Sequence, residues 1–172
     1  MAISLYDVSV TSFLQVLGGV AGFLDKGAAH CKANNIDLNG VVETRLYQDM
    51  LPFRFQVVAV AHHSLGAIKG VKAGVFTPPG PSTADYAGLQ KLIADARAEL
   101  QKVSRSEIEA LEGKDVVFQL GERKMPFTAE NFLMSFSMPN LHFHATTAYD
   151  MLRMKGVPIG KRDYMGMPRI KT

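Results

Sequence analysis

The side chains best suited to proton or metal chemistry in this sequence are its five histidines. Two of them, His142 and His144, stand in the stretch PNLHFHATTAYDMLRMKGVPIG, residues 139–160. At about 100° of rotation per helical residue, Leu141, His144, Ala145, Ala148 and Leu152 share one side. His142 falls instead with Thr146, Tyr149 and Arg153. The i, i+2 spacing therefore separates the two rings by about 200°, which makes His144 the inward candidate and His142 the outward one.

A second pair, His62 and His63, lies in FRFQVVAVAHHSLGAIKGVKAG. His62 shares a sector with Arg54, Lys69 and Lys72, the expected wet face. His63 lies close to Gln56, seven residues earlier, on the other side. Two polar residues on an otherwise apolar face require partners, because a buried polar group without a hydrogen bond is costly. His30, near the end of the first long apolar segment, either joins them or interacts with a helix C-terminus.

The constellation is thus His63 and His144 with Gln56 beside them, His62 and His30 standing as alternates. One reading is a metal or acid/base site between helices. Imidazole nitrogen suits a divalent transition metal such as zinc, nickel or iron, and a catalytic zinc takes three protein ligands. The other reading is a pair of core histidines hydrogen-bonded to Gln56 or Tyr149, which would line the same pocket. No phosphate loop, nucleophile elbow or dinucleotide fingerprint accompanies them: the glycines of GVKAG and LGGVAG sit inside helical patterns.

Four long amphipathic segments must position these residues. The first runs from Leu5 to about Lys32 and ends in NNIDLNG. The second starts at Pro52, suited to a first helical turn, and ends near Gly74. VFTPPGPST reads as a stiff loop. The third follows Asp85 with a stripe of Leu89, Leu92, Ile93, Ala96 and Leu100. Val116 to Phe127 breaks the helical rhythm and predicts a hairpin turning at Gly121–Glu122. Thr128 caps a short helix, Pro139 opens the fourth long one, and Gly156 closes it. Arg45 with Asp49, and Asp150 with Arg153, are placed to form ion pairs. The expected architecture is all-α: a four-helix bundle with a small β-hairpin and an extended C-terminal tail, in one domain spanning 1–172.

Composition narrows the setting. The chain has 172 residues, 47% of them hydrophobic and 20% charged, enough to bury a substantial core. No apolar run of about 18 residues lacks a charge or polar break, so no membrane span is expected. MAISLYDVSV has no basic start and carries an early Asp7, unlike a secretory signal. The single cysteine, Cys31, cannot form an internal disulfide, in keeping with a reducing cytoplasm. A formal charge of +3 does not call for nucleic acid, and the basic residues after position 152 read as a solvated tail.

The stretches RLYQDMLPFRFQV (45–57) and FHATTAYDMLRMKGVPIGKRDY (143–164), with the helix layout, resemble the DinB/YfiT-like superfamily of metalloenzyme bundles. Within it the chain is most similar to a branch catalogued only as a domain of unknown function. The resemblance implies a DinB-like four-helix bundle with a metal held by three histidines, one from the second helix and two from an H-x-x-x-H pair on the fourth. Here the second-helix position falls at His62 or His63, and His144 matches the first of the pair. Its i+4 partner is Ala148, which has no ligand atom. The function expected is therefore a DinB-like bundle protein with a degenerate histidine metal site, binding a small molecule or serving structurally. The alternative is a metal-dependent transferase or hydrolase using the inter-helix site. A homodimer is the expected assembly.

Overall fold

The computed structural model describes residues 3–171. Helices α1 (Leu5–Val8) and α2 (Val10–Ala33) make a nearly continuous rod. Ser4 caps it: its hydroxyl accepts from the Asp7 N–H while the Asp7 carboxylate accepts from Ser4. After the single turn α3 (Leu38–Val42), a second rod forms from α4 (Phe53–Ala61), a π-helical turn at His62–Gly66, and α5 (Ala67–Ala73). Gly74 ends it with φ of 74°, the left-handed conformation that favours glycine.

Strand β1 (Val75–Phe76) leads through the proline-rich loop to α6 (Tyr86–Gln101) and α7 (Arg105–Glu109). Strands β2 (Asp115–Leu120) and β3 (Arg123–Thr128) form the hairpin, with Leu120 opposite Arg123 and Asp115 opposite Thr128. The fourth rod comprises α8 (Ala129–Asn131), a π-helical turn at Phe132–Ser137, and α9 (Met138–Met154). A last turn, α10 (Lys161–Met165), lies on α2.

The long helices close a ring. Both α2 and α4 pack against α6 and α9, so α2 and α4 stand diagonally across the bundle. Phe13 and Leu17, Phe53 and Val57, Leu89 and Ile93, and Leu141 and Ala145 fill the middle, all buried. Tyr86 is buried among them, stacked on Phe53 with its hydroxyl donating to the Leu24 carbonyl at 2.8 Å. The span Leu5–Ala33 is long and apolar enough to cross a membrane by length and composition, but 50% of its most apolar window is buried inside the bundle. Its buried residues, among them Phe13, Leu17, Val20 and Leu24, face the core of the bundle.

The fold matches the expected all-α bundle, and the departures are local. β1 was expected as loop. Instead it pairs in parallel with β2, Val75 opposite Val117 and Phe76 opposite Phe118, giving a three-stranded sheet. A two-residue strand has no periodicity to detect, and its partner is 42 residues away, Val75 to Val117. Pro139 stands in the first turn of α9, as expected, but no loop precedes that helix. It follows a π turn within a rod that continues from α8, where its missing N–H is accommodated. The tail carries the helical turn α10 within its extended course. Neither expected ion pair forms: Arg45 donates to the Met50 carbonyl, and Arg153 to the Val157 carbonyl at 2.9 Å. Chain carbonyls left free by a turn are nearer fixed partners than a mobile exposed carboxylate.

The sheet docks through Phe76, which is buried over α5 where Gly70 leaves room; a Cβ on Gly70 would stand 2.8 Å from the Phe76 ring. Gly70→Ala should therefore destabilise the protein by about 1–3 kcal/mol through overpacking, despite the roughly 1 kcal/mol that alanine gains in helix propensity. Urea unfolding measures this, and a stabilised variant would contradict the docking.

Candidate functional site

His63 and His144 meet between the second and fourth rods. His63 sits in the π turn and is buried; His144 is half-buried on α9. Their rings lie nearly parallel, 14° apart, with centroids separated by 5.9 Å. Phe55 and Phe143 stand edge-on to His144, and Phe76 and Phe136 flank His63.

Hydrogen bonds fix the tautomer of each ring. The Gln56 amide nitrogen donates to the Leu51 carbonyl at 2.9 Å, which leaves the amide oxygen facing His144. That oxygen lies 2.7 Å from His144 Nδ1, and an oxygen can only accept, so Nδ1 carries the proton. At His63 the same logic runs through Ser137. The Ser137 hydroxyl donates to the His63 backbone carbonyl at 3.1 Å and so accepts from His63 Nδ1 at 3.2 Å. Both rings therefore present an Nε2 lone pair. Neither Nε2 has a hydrogen-bond partner among the described residues, and neither is a fully buried atom.

Burial sets the charge state. It holds His144 down at about 4, and His63 at about 3 with help from repulsion by His62 and His144. Both are neutral at pH 7, acceptors rather than acids.

The other candidates lie apart. His62 lies beside Lys69 at a surface cleft, as its helical phase predicts, but is half-buried there: its ring stacks on Phe76 at 4.3 Å and its Nε2 donates to the Thr77 carbonyl at 2.7 Å. The loop after α5 folds back over it, a long-range event that helical phase does not contain. His30 accepts from the Asn34 amide at 3.3 Å, and its Nε2 faces Gly156 beyond the end of α9. Twelve residues of chain separate that point from His144, about 18 Å of helix. His142 is exposed and bonds the Tyr164 hydroxyl at 3.0 Å. Tyr149 turns toward Phe23 and Tyr164, its hydroxyl donating to the Ile159 carbonyl at 3.4 Å, and does not reach the pair. Ser137 is the participant that the sequence did not reveal, since a serine before Met-Pro gives no signal of its own.

The residues present do not fit a three-histidine metal. Ala148, one turn after His144, is fully buried and offers no donor. Among the described residues no group of three or more His, Cys, Asp or Glu side chains is placed to hold an ion. What the arrangement provides is two oriented, neutral acceptors with an aromatic surround.

Comparison with known proteins fits this geometry to a lineage. The family described as "Domain of unknown function (DUF1993)" matches residues 5–165. A crystal structure of a DinB family member from Shewanella denitrificans is similar with a TM-score of 0.79 and 25% identity, covering 98% of this chain and 95% of that one. Among curated proteins, none is significantly similar.

The low pKa values tie the pair to stability. Unfolded histidines titrate near 6.5, so below that pH the unfolded chain binds protons that the folded one refuses until about pH 4 and 3. Stability present above pH 6.5 is thus lost as pH falls toward 4, by on the order of 2 kcal/mol for the more buried His63. Urea midpoints at pH 7 and pH 4 should fall less steeply for His63→Leu than for the wild type; equal slopes would show that His63 is not held neutral.

Proposed function

This chain belongs to the DUF1993 family, within the DinB-like superfamily, and from that premise we propose that it is a small-molecule-binding bundle protein whose histidine pair works without a resident metal. The observation that carries the reading is the hydrogen bonding of the two rings. Each Nδ1–H is held by a protein acceptor, Gln56 or Ser137, and neither Nε2 has a hydrogen-bond partner among the described residues. Two neutral imidazoles so fixed accept hydrogen bonds from a ligand carrying hydroxyl or N–H groups. Phe55, Phe136 and Phe143 supply the apolar contact around them.

The second reading, a metal-dependent transferase or hydrolase, draws on the same bonds. Metal-ligating histidines commonly donate their other ring N–H to an oxygen acceptor, as His144 does to Gln56. Against it stands the donor count, two where an open catalytic zinc normally takes three.

Elemental analysis of tag-free protein separates the two. The expected result is substoichiometric zinc, nickel and iron, together with histidine 15N spectra showing Nδ1-protonated, unligated His63 and His144 at pH 7. Ala148→His should then raise zinc affinity by about a hundredfold or more, ~2.7 kcal/mol. A stoichiometric metal in the wild type, lost in His144→Ala, would overturn the metal-free reading.

A further inference from the structure

The basic residues after position 152, expected to form a solvated tail, are exposed, but the chain that carries them is held in place. After α9 it turns back and runs antiparallel along α2. Gly156 lies beside His30, near the C-terminal end of α2. Asp163 pairs with Lys26. The Tyr164 carbonyl lies so close over Gly19 that no Cβ fits between them. Gln15 Nε2 donates to the Met165 carbonyl at 3.1 Å, and Gly166, with φ of 63°, turns against Gln15 and Gly19. From His30 back to Gln15 this strap follows about 22 Å of helix.

Three observations give the strap a chemistry. First, its cations are not spent on acids. Arg153, Lys155, Lys161, Arg162, Arg169 and Lys171 are all exposed, and none forms an ion pair among the described residues. Lys26 takes up Asp163, so Asp150 is the one exposed carboxylate that the stretch 150–171 sets against them. Second, the residues between these cations are apolar. Met154, Met165, Met167 and Ile170 are 54%, 41%, 83% and 74% exposed, a third of the large exposed hydrophobic side chains among the described residues. A merely solvated basic face would not carry them. Third, no aromatic ring joins them. Tyr164, the one aromatic residue after α9, turns inward, its hydroxyl bonded to Thr146 and His142 and its ring edge-on to Tyr149.

We propose that the strap seats the protein on the surface of an anionic lipid bilayer. Its lysines and arginines meet the acidic headgroups, and Met165, Met167 and Ile170 enter the boundary between headgroups and acyl chains. Each basic residue beside such a surface strengthens binding about fivefold, and apolar side chains add in proportion to the area they bury. A single-stranded nucleic acid would match the charge, but it stacks its bases on exposed rings, and the strap offers thioether and aliphatic side chains instead. Holding the strap against α2 also lowers the ordering cost of binding. The contact is peripheral, since α2 stays packed in the bundle beneath. The surface shares no residue with the His63–His144 pair and stands or falls independently of the reading proposed for it.

Co-sedimentation of the full chain with lipid vesicles tests this. Vesicles of phosphatidylcholine with about a third phosphatidylserine should bind it, and phosphatidylcholine alone about a hundredfold more weakly. Raising the salt should release it. Lys161→Gln with Arg162→Gln should weaken binding about twentyfold. Met167→Ser with Ile170→Ser should weaken it about tenfold at unchanged charge. Poly(U) RNA and polyglutamate, as soluble polyanions, should bind more weakly than the acidic vesicles. The proposal fails if the acidic vesicles do not bind the chain, if both vesicle types bind alike, or if either folded double variant binds as the wild type does. It also fails if a soluble polyanion binds more tightly than the vesicles, which would make the strap a nucleic-acid or protein contact. Circular dichroism checks the fold of each variant. Should one fold poorly, the order of vesicles and polyanions on the wild type decides alone.

Discussion

The buried side-chain amide of Gln56 fixes the geometry on which the rest of the inter-helix site depends. An amide in an apolar interior must satisfy both its ends, or lose a large part of what burying its neighbours contributes. Its nitrogen is held by the Leu51 carbonyl, just before α4 begins, so its oxygen has one direction left. That direction contains His144 Nδ1, on a different rod and 88 residues later in the chain. The bond joins α4 to α9, sets the His144 tautomer and turns Nε2 outward. A low-dielectric surround strengthens such a bond and penalises its loss, and among the described residues no fully buried side-chain nitrogen or oxygen lacks a partner.

The π turns act on the other half of the pair. Each of the two rods carrying a member of the pair contains one, at His62–Gly66 and at Phe132–Ser137. A π turn slips the helical phase and opens the backbone ladder, and such turns recur at functional sites. Here they bring His63 against Ser137, with bonds running both ways between the two residues. Around them the rings of Phe76, Phe118, Phe132 and Phe136 bind the small sheet to the bundle. The sheet is thus the lid of an aromatic cluster that keeps the histidine end of the bundle dry on one side.

Helical phase made the inward residues legible. Gln56 and His144 recur with apolar neighbours, and their rotation is set by few residues of regular helix, so the sequence carried the answer. The partial burial of His62 was not legible in this way. Its surroundings come from Phe76 and Thr77, which a turn at Gly74 folds back over it, and no local pattern records that fold. The phase slips were hidden for a different reason: a π turn has the composition of the α-helix it interrupts. The resemblance carried by residues 45–57 and 143–164 placed the chain in its superfamily, because those stretches hold both the helix starts and the ends of the site.

Ala148 shows how a residue without a donor atom constrains what its neighbours can be. It is fully buried in a row with Leu141, Ala145 and Leu152, on the face of α9 that packs into the bundle. An imidazole at that position without a metal would need its own acceptor and its own donor in an apolar row, or cost several kcal/mol unpaired. Alanine removes that demand. It also removes the third donor that would hold an ion against water, so the two remaining rings keep their lone pairs for other partners. Desolvation then keeps them uncharged, where a bound cation would have kept them deprotonated by coordination. A packing residue at 148 and a pair of neutral acceptors are thus mutually consistent, and under the reading proposed above neither needs an ion to hold it.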